Sequence, residues 1–126
     1  MTIQDALLGI DEAKPNQMEK RQKIAWLNEL DGRIYREIML RHERHGGVPD
    51  TCPHYDLETD DRTNLLCPDP YSVIYRWYME SQIDLINQEM DKYQNSYDQF
   101  NAAYGDYARE YKREHMPLQK APRLIF

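Results

Sequence analysis

The stretch "YQNSYDQFNAAYGDYAREY", residues 93–111, carries an aromatic side chain at every third or fourth position. We call its six rings the tyrosine stripe: Tyr93, Tyr97, Phe100, Tyr104, Tyr107 and Tyr111. The same spacing extends upstream through four aliphatic positions: Met79, Ile83, Ile86 and Met90. Alternating steps of four and three residues form a heptad repeat, which marks one face of a helix. The repeat predicts one long helix over residues 71–115, or two helices with a bend near Asn95–Ser96.

Tyrosine side chains suit a contact that is partly wet, because the ring is apolar while the hydroxyl needs water or a partner. The stripe therefore fits packing on the chain's own second helix or contact with another subunit, and both alternatives stay open. Stacking on nucleic-acid bases is disfavoured, because such sites need a basic groove and the charges near the stripe are mainly acidic until Arg109. The stripe residues predicted to interact are Tyr97, Phe100, Tyr104, Tyr107 and Tyr111.

Two helices are predicted upstream of the stripe. Thr2 followed by Asp5 is an N-cap pattern, and this first helix has to end before Pro15. Asn16 with Glu19 gives a second capping signal. The second helix carries an apolar face of Ile24, Leu27, Leu30, Ile34 and Ile38. Asp31-Gly32 marks a point where it can bend or break.

Residues 45–70, "HGGVPDTCPHYDLETDDRTNLLCPDP", have a different composition. They contain four of the seven prolines and a cluster of acids, so they predict a long loop, with a short strand or turn at "TNLLC". Asp69-Pro70 predicts a helix restart, with Asp as the cap and Pro at the first helical position. Pro117 ends the last helix, and 117–126 is predicted to be an extended tail.

These elements predict an all-α protein, a bundle of about four helices with a long C-terminal helix or helix pair. Residues 1–116 form one helical domain with the loop 45–70 inserted between helices. The apolar end of the tail, Leu124, Ile125 and Phe126, is predicted to dock in a groove or at the sheet edge of a partner.

Bulk properties narrow the classes of partner. The chain has 126 residues and a formal net charge of -6, which argues against holding duplex nucleic acid and predicts no sequence-specific nucleic-acid partner. No apolar run reaches the roughly 18 residues that span a membrane, so no membrane partner is expected. The start of the chain lacks the features of a signal peptide, and the two cysteines are expected to be reduced.

Candidate chemical sites are weak. The spacing of the potential zinc ligands matches no common zinc site; they are His42, His45, Cys52, His54 and Cys67. Whether Cys52, His54 and Cys67 bind a metal stays open. "DLETDD", residues 56–61, imitates the start of a calcium loop but lacks its sixth-position Gly and twelfth-position Glu. No nucleophile elbow, phosphate loop or dinucleotide fingerprint occurs. We therefore predict no catalytic residue, cofactor or metal, and no enzyme.

Two segments carry a resemblance: "KIAWLNELDGRIYREI" (23–38) and "CPDPYSVIYRWYMESQIDLINQEMDKYQNSYDQFNAAYGDYAREYKREHMP" (67–117). Their patterns, W-L-x-x-L-D-G-x-I and P-Y-x-x-x-Y-x-x-Y-x-x-x-Q-I-D-L-x-N, resemble small helical head–tail connector, or head-completion, adaptors of tailed phages and prophages of Gram-positive bacteria. The resemblance implies an all-helical structural protein of the virion, assembled in the host cytoplasm. It also implies a ring of identical subunits that contacts the phage portal or a neighbouring adaptor.

Three functional hypotheses follow. The first is the non-enzymatic phage connector, acting in virion assembly as a homo-oligomer. The alternative is a small helical protein-protein interaction or regulatory protein that dimerises through the tyrosine stripe. The third is a zinc module or metal-dependent enzyme built on the His and Cys side chains of the loop.

Overall fold

Within the residues that the computed structural model describes, 1–43 and 48–116, the chain forms four α-helices and a long loop. Helix α1 spans Ile3–Ala13, α2 spans Lys20–Glu37, α3 spans Val73–Ile86 and α4 spans Met90–Glu114, and a 3-10 turn at Met39–Arg41 follows α2. This described part contains no strand, only isolated bridging such as that between Thr2 and Asn64, which confirms the predicted all-α bundle of about four helices.

The cap of the first helix and the apolar face of the second follow the predicted patterns. Thr2 and Asp5 form a reciprocal capping box at the start of α1, and Lys14 ends that helix just before Pro15. All five residues predicted for the apolar face of α2 are buried. Helix α2 continues through Gly32, so no break occurs there, and its buried face packs against α3.

Two predicted helix starts are wrong. The Asn16 side chain accepts a hydrogen bond from the Met18 backbone N–H at 3.0 Å, which caps a local turn, and α2 begins only at Lys20. The predicted restart at Asp69-Pro70 also lies too early, because residues 68–71 form a turn and α3 begins at Val73. In both cases a short polar side chain stabilises a turn in front of the helix.

The heptad repeat divides into two antiparallel helices, and the division is not at Asn95–Ser96. Helix α3 ends at Ile86 with a Schellman motif, in which Gln88 N–H donates to Leu85 O at 3.1 Å and Glu89 N–H donates to Asp84 O at 3.0 Å. Gln88 has the left-handed conformation that this motif requires, with φ of 59°. The predicted C-terminal helix pair is therefore a helical hairpin of α3 and α4.

A buried polar cluster joins α1 to this hairpin. Asp84 on α3 is 2% exposed, and its Oδ2 accepts a hydrogen bond from Ser96 Oγ on α4 at 2.9 Å. Its Oδ1 lies 2.6 Å from Nζ of Lys14, at the end of α1. The ion pair and hydrogen bond compensate the burial of the carboxylate. Asp84 thus joins α1, α3 and α4.

Candidate functional site

Asp31 is the polar centre that holds the long loop on the helices. Its buried carboxylate accepts a hydrogen bond from the Tyr75 hydroxyl of α3 at Oδ1 and another from the Tyr55 hydroxyl of the loop at Oδ2, both 2.6 Å long. The Leu66 backbone N–H donates to the same Oδ2 at 3.1 Å. One side chain of α2 therefore joins α3 and two separate points of the loop.

Burial determines the electrostatics of this centre. Loss of solvent raises the pKa of the Asp31 carboxyl above its ordinary value, while the three hydrogen bonds oppose that rise. Burial beside this carboxylate also raises the pKa of the Tyr55 and Tyr75 hydroxyls, so both remain protonated donors at neutral pH. Because Asp31 is sealed from solvent, the centre can hold structure but cannot reach a substrate.

Asn28, one helical turn before Asp31, fixes the loop at a second point. Its side-chain amide donates to the Tyr55 carbonyl and accepts from the Tyr55 backbone N–H, each at 2.7 Å. This reciprocal pair satisfies both backbone groups of Tyr55. The ring of Tyr55 is thereby directed at Asp31.

The start of α1 pairs with the later part of the loop. The backbone N–H groups of Ile3 and Gln4 donate to the carbonyls of Thr63 and Asp61 at 3.0 and 2.9 Å. The first N–H groups of a helix have no hydrogen-bond partner inside the helix, and here the loop carbonyls are their acceptors. The "TNLLC" segment thus forms one bridge with the N-terminus, between Asn64 and Thr2.

A groove of about 490 Å³, which we call the loop groove, lies between the anchored loop and the C-terminal half of α4. Its loop wall is apolar and includes Val48, Pro49, Pro53, Leu66 and Pro68. Its helix wall combines rings with two acids: Tyr107, Tyr111, His115, Glu110 and Glu114. This mixture of an apolar wall with a few polar groups is typical of a peptide- or ligand-binding surface.

The tyrosine stripe packs mostly inside its own chain. Phe100, Tyr104, Tyr107 and Tyr111 are buried, whereas Tyr97 is only half-buried. That these residues contact another subunit stays a prediction, and in the isolated chain only Tyr97 among them offers exposed ring surface. The tail residues of the same predicted set, Leu124, Ile125 and Phe126, lie outside the described residues.

Helix α2 supplies the polar partners of the stripe. The Arg33 guanidinium lies 4.5 Å from the centre of the Tyr104 ring, and the Tyr104 hydroxyl donates to Glu37 Oε1 at 3.1 Å. Arg33 also pairs with Glu37 at 3.0 Å, which closes a triangle between the two helices and lowers the pKa of the Glu37 carboxyl. The Tyr104 hydroxyl therefore finds its partner on α2, as a buried tyrosine requires.

The tip of the α3–α4 hairpin, by contrast, exposes large apolar side chains. Leu85, Ile86 and Met90 are 43%, 52% and 56% exposed. Ile86 and Met90 belong to the heptad repeat, but the turn between the helices carries them away from the core. We call these three residues the hairpin tip.

The loop thiols are separated by their surroundings. Cys67 is buried and Cys52 exposed, and both are free. Burial raises the pKa of the Cys67 thiol, which keeps it protonated and a poor nucleophile. In the ranges 1–43 and 48–116, no three His, Cys, Asp or Glu side chains are gathered as a metal site would require, while His45 lies outside those ranges.

The role of Asp31 was not predicted from the sequence, although a signal was present. Asp31 lies four residues after Leu27 and three before Ile34, so it occupies the apolar face of α2. An acid at such a position predicts a buried carboxylate that needs hydrogen-bond donors. Its donors Tyr55 and Tyr75 have no comparable signal, since they lie far away in the chain.

Comparisons with family models, curated proteins and solved structures give no match to this chain. No helix within the described ranges combines the length and apolar character needed to cross a lipid bilayer.

Proposed function

We propose that the chain is a non-enzymatic structural subunit of a tailed phage, a head–tail connector adaptor that acts in virion assembly as a homo-oligomer. The observation that supports an oligomer is the hairpin tip, an apolar surface at the end of the α3–α4 helix pair. Monomeric proteins seldom leave adjacent large apolar side chains exposed without a partner. The connector class itself rests on the resemblance of residues 23–38 and 67–117.

A ring also needs a second surface, because a head-to-tail contact joins two different patches. The chain offers a shallow hollow of about 410 Å³ between α2 and the loop, lined in part by Ile24, Ala25 and Leu57. This hollow involves none of the hairpin-tip residues. Two distinct apolar surfaces on one chain support closure into a ring over isologous pairing.

The charge of the chain is consistent with this assignment. A net charge of -6 repels the phosphate backbone, and a channel through which DNA passes is better served by a surface that does not retain it. The partners proposed beyond the ring are the phage portal or a neighbouring adaptor, and the place of action is the virion.

Placing charged residues at the hairpin tip tests whether this surface forms the contact between subunits. The double variant Ile86→Lys/Met90→Lys should retain helix content and lose association in sedimentation velocity, because burying two ammonium groups in an apolar contact is unfavourable. Leu8→Lys is the matched control, since Leu8 is 53% exposed on α1, outside the tip. Unchanged association of the double variant would remove the hairpin tip from the assembly contact.

The alternative, a regulatory protein that dimerises through the tyrosine stripe, has one supporting observation. The Tyr93 and Tyr97 rings stack with centroids 5.6 Å apart and both are half-buried, so they present a small aromatic surface. A dimer that is lost in Tyr93→Ser/Tyr97→Ser and kept in Ile86→Lys/Met90→Lys would favour this alternative over the connector.

A further inference from the structure

We propose that the loop groove is the docking site of the chain's own C-terminal segment, residues 118–126. This intrachain contact goes beyond the connector function and does not depend on it. It rests on the position where the segment starts, on its reach and on the chemistry of the groove.

The segment begins beside the groove. His115 lines the groove, and the carbonyl of the next residue, Met116, accepts a hydrogen bond from the Glu43 backbone N–H at 2.8 Å. This bond pins the chain next to the residues that follow the 3-10 turn, and Met39 of that turn also lines the groove. Residue 118 therefore starts within two residues of a fixed point at the groove's end.

The reach of the segment matches the groove. The α4 wall from Tyr107 to His115 covers eight helical steps, or about 12 Å. Nine residues of extended chain span at most about 30 Å, so the segment can turn back and pass along that wall. Pro117 and Pro122 disfavour continuation of the helix, and an extended segment is what a groove of this form accommodates.

The chemistry of the segment complements the groove. It carries Lys120 and Arg123 followed by Leu124, Ile125 and Phe126. The groove offers an apolar loop wall and the carboxylates of Glu110 and Glu114. Glu110 already pairs with Arg113 at 2.7 Å, whereas Glu114 forms no ion pair with any residue of the described ranges. Glu114 is thus the acid best placed to form an ion pair with Lys120 or Arg123 of the segment.

The chain's own segment is favoured over that of a second copy because it is tethered beside the groove. A short tether holds an attached segment at an effective concentration of the order of millimolar. A segment from another molecule reaches such a concentration only in concentrated solution. Docking in the same chain therefore dominates in dilute protein.

Photocrosslinking in the full chain tests the contact. The photoreactive analogue p-benzoylphenylalanine replaces Phe126, and isotopically light and heavy chains are mixed before irradiation. We expect crosslinks to groove residues such as Leu66, Pro68 or Tyr107, with both peptides carrying the same isotope label. Crosslinks that join light to heavy chains, crosslinks to the hairpin tip, or the absence of crosslinks would each overturn the proposal.

A charge change tests the recognition. Glu114→Lys should lower the yield of groove crosslinks several-fold, and adding Lys120→Glu and Arg123→Glu should restore it. Glu12→Lys, an exposed glutamate of α1, is the matched control and should leave the yield unchanged. An equal yield in Glu114→Lys and the control would contradict the charge pairing. Because these crosslinks form in the monomer, their loss is distinguishable from failure of the ring.

Discussion

The carboxylate of Asp31 and the hydroxyl of Tyr75 lie 2.6 Å apart, and both side chains are fully buried. The same Tyr75 oxygen accepts a hydrogen bond from the Cys67 backbone N–H at 2.8 Å. Tyr75 thus links Asp31 to the last part of the loop through these two hydrogen bonds. Through this pair, α2, α3 and the loop become one unit, which gives the loop groove a fixed wall.

Replacing Asp31 should weaken the whole fold. In Asp31→Asn, the amide cannot accept from all three donors, so at least one buried donor loses its partner. We expect the free energy of unfolding to fall by about 1–3 kcal/mol, measured by urea denaturation. Asp50→Asn, an exposed loop acid, is the control and should change stability by less than about 0.5 kcal/mol. Equal stability of Asp31→Asn and wild type would contradict the role of this centre.

The cost of Asp31→Asn should also depend on pH. Because the folded-state pKa of Asp31 is raised, the stability that this group contributes is fully present below its unfolded pKa and is lost as pH rises through the folded value. The stability difference between wild type and Asp31→Asn should therefore shrink as pH rises from about 4. Denaturation curves of both proteins across this range provide the measurement. A difference that grows with pH would show that the three donors outweigh burial and lower the pKa instead.

A glycine at the end of α3 should stabilise the protein. Gln88 is held at a φ of 59°, where a side chain costs about 1–2 kcal/mol and glycine does not. After allowing for the greater unfolded-state entropy of glycine, we expect Gln88→Gly to raise the free energy of unfolding by about 0.5–1 kcal/mol. Thermal unfolding measures the change.

Asn87→Gly is the matched control, because Asn87 has a φ of -77° and gains nothing from glycine. It should lower stability slightly. A decrease in both variants would mean that the Gln88 side chain contributes more than its backbone strain costs.

Substitutions in the tyrosine stripe should show whether its rings pack in the core or contact another subunit. Tyr107→Ser removes a buried ring and should lower the free energy of unfolding by about 3–5 kcal/mol, as loss of a large core side chain does. Tyr104→Phe keeps the ring and removes only the hydrogen bond to Glu37, so it should cost about 0.5–1.5 kcal/mol. Chemical denaturation of the two variants tests this order. A Tyr107→Ser protein of normal stability that no longer associates would instead assign Tyr107 to a subunit contact.

Local patterns predicted the helices because each carries its own signal. The capping box of Thr2 and Asp5 and the apolar face of α2 depend on residues only a few positions apart, which one sequence displays directly. The heptad repeat located the residues of the hairpin but not its turn. The spacing stays regular through Asn87–Glu89, so only the tertiary advantage of folding α4 back onto α3 distinguishes a hairpin from one long helix.

Local patterns of this kind could not predict how the loop packs or that it forms a groove. The bonds from Asp31 to Tyr55 and Tyr75 span 24 and 44 residues, and no periodicity links positions that far apart. The buried ion pair of Lys14 with Asp84 spans a still wider gap of 70 residues. Long-range polar contacts of this kind require either a structure or covariation between positions.

Light scattering of the full chain over a wide range of concentrations tests the proposed assembly most directly. We predict a discrete oligomer whose mass is an integral multiple of the chain's, and which electron microscopy shows as a closed ring. A chain that remains strictly monomeric at the highest concentrations would contradict the proposal that it is a ring-forming connector.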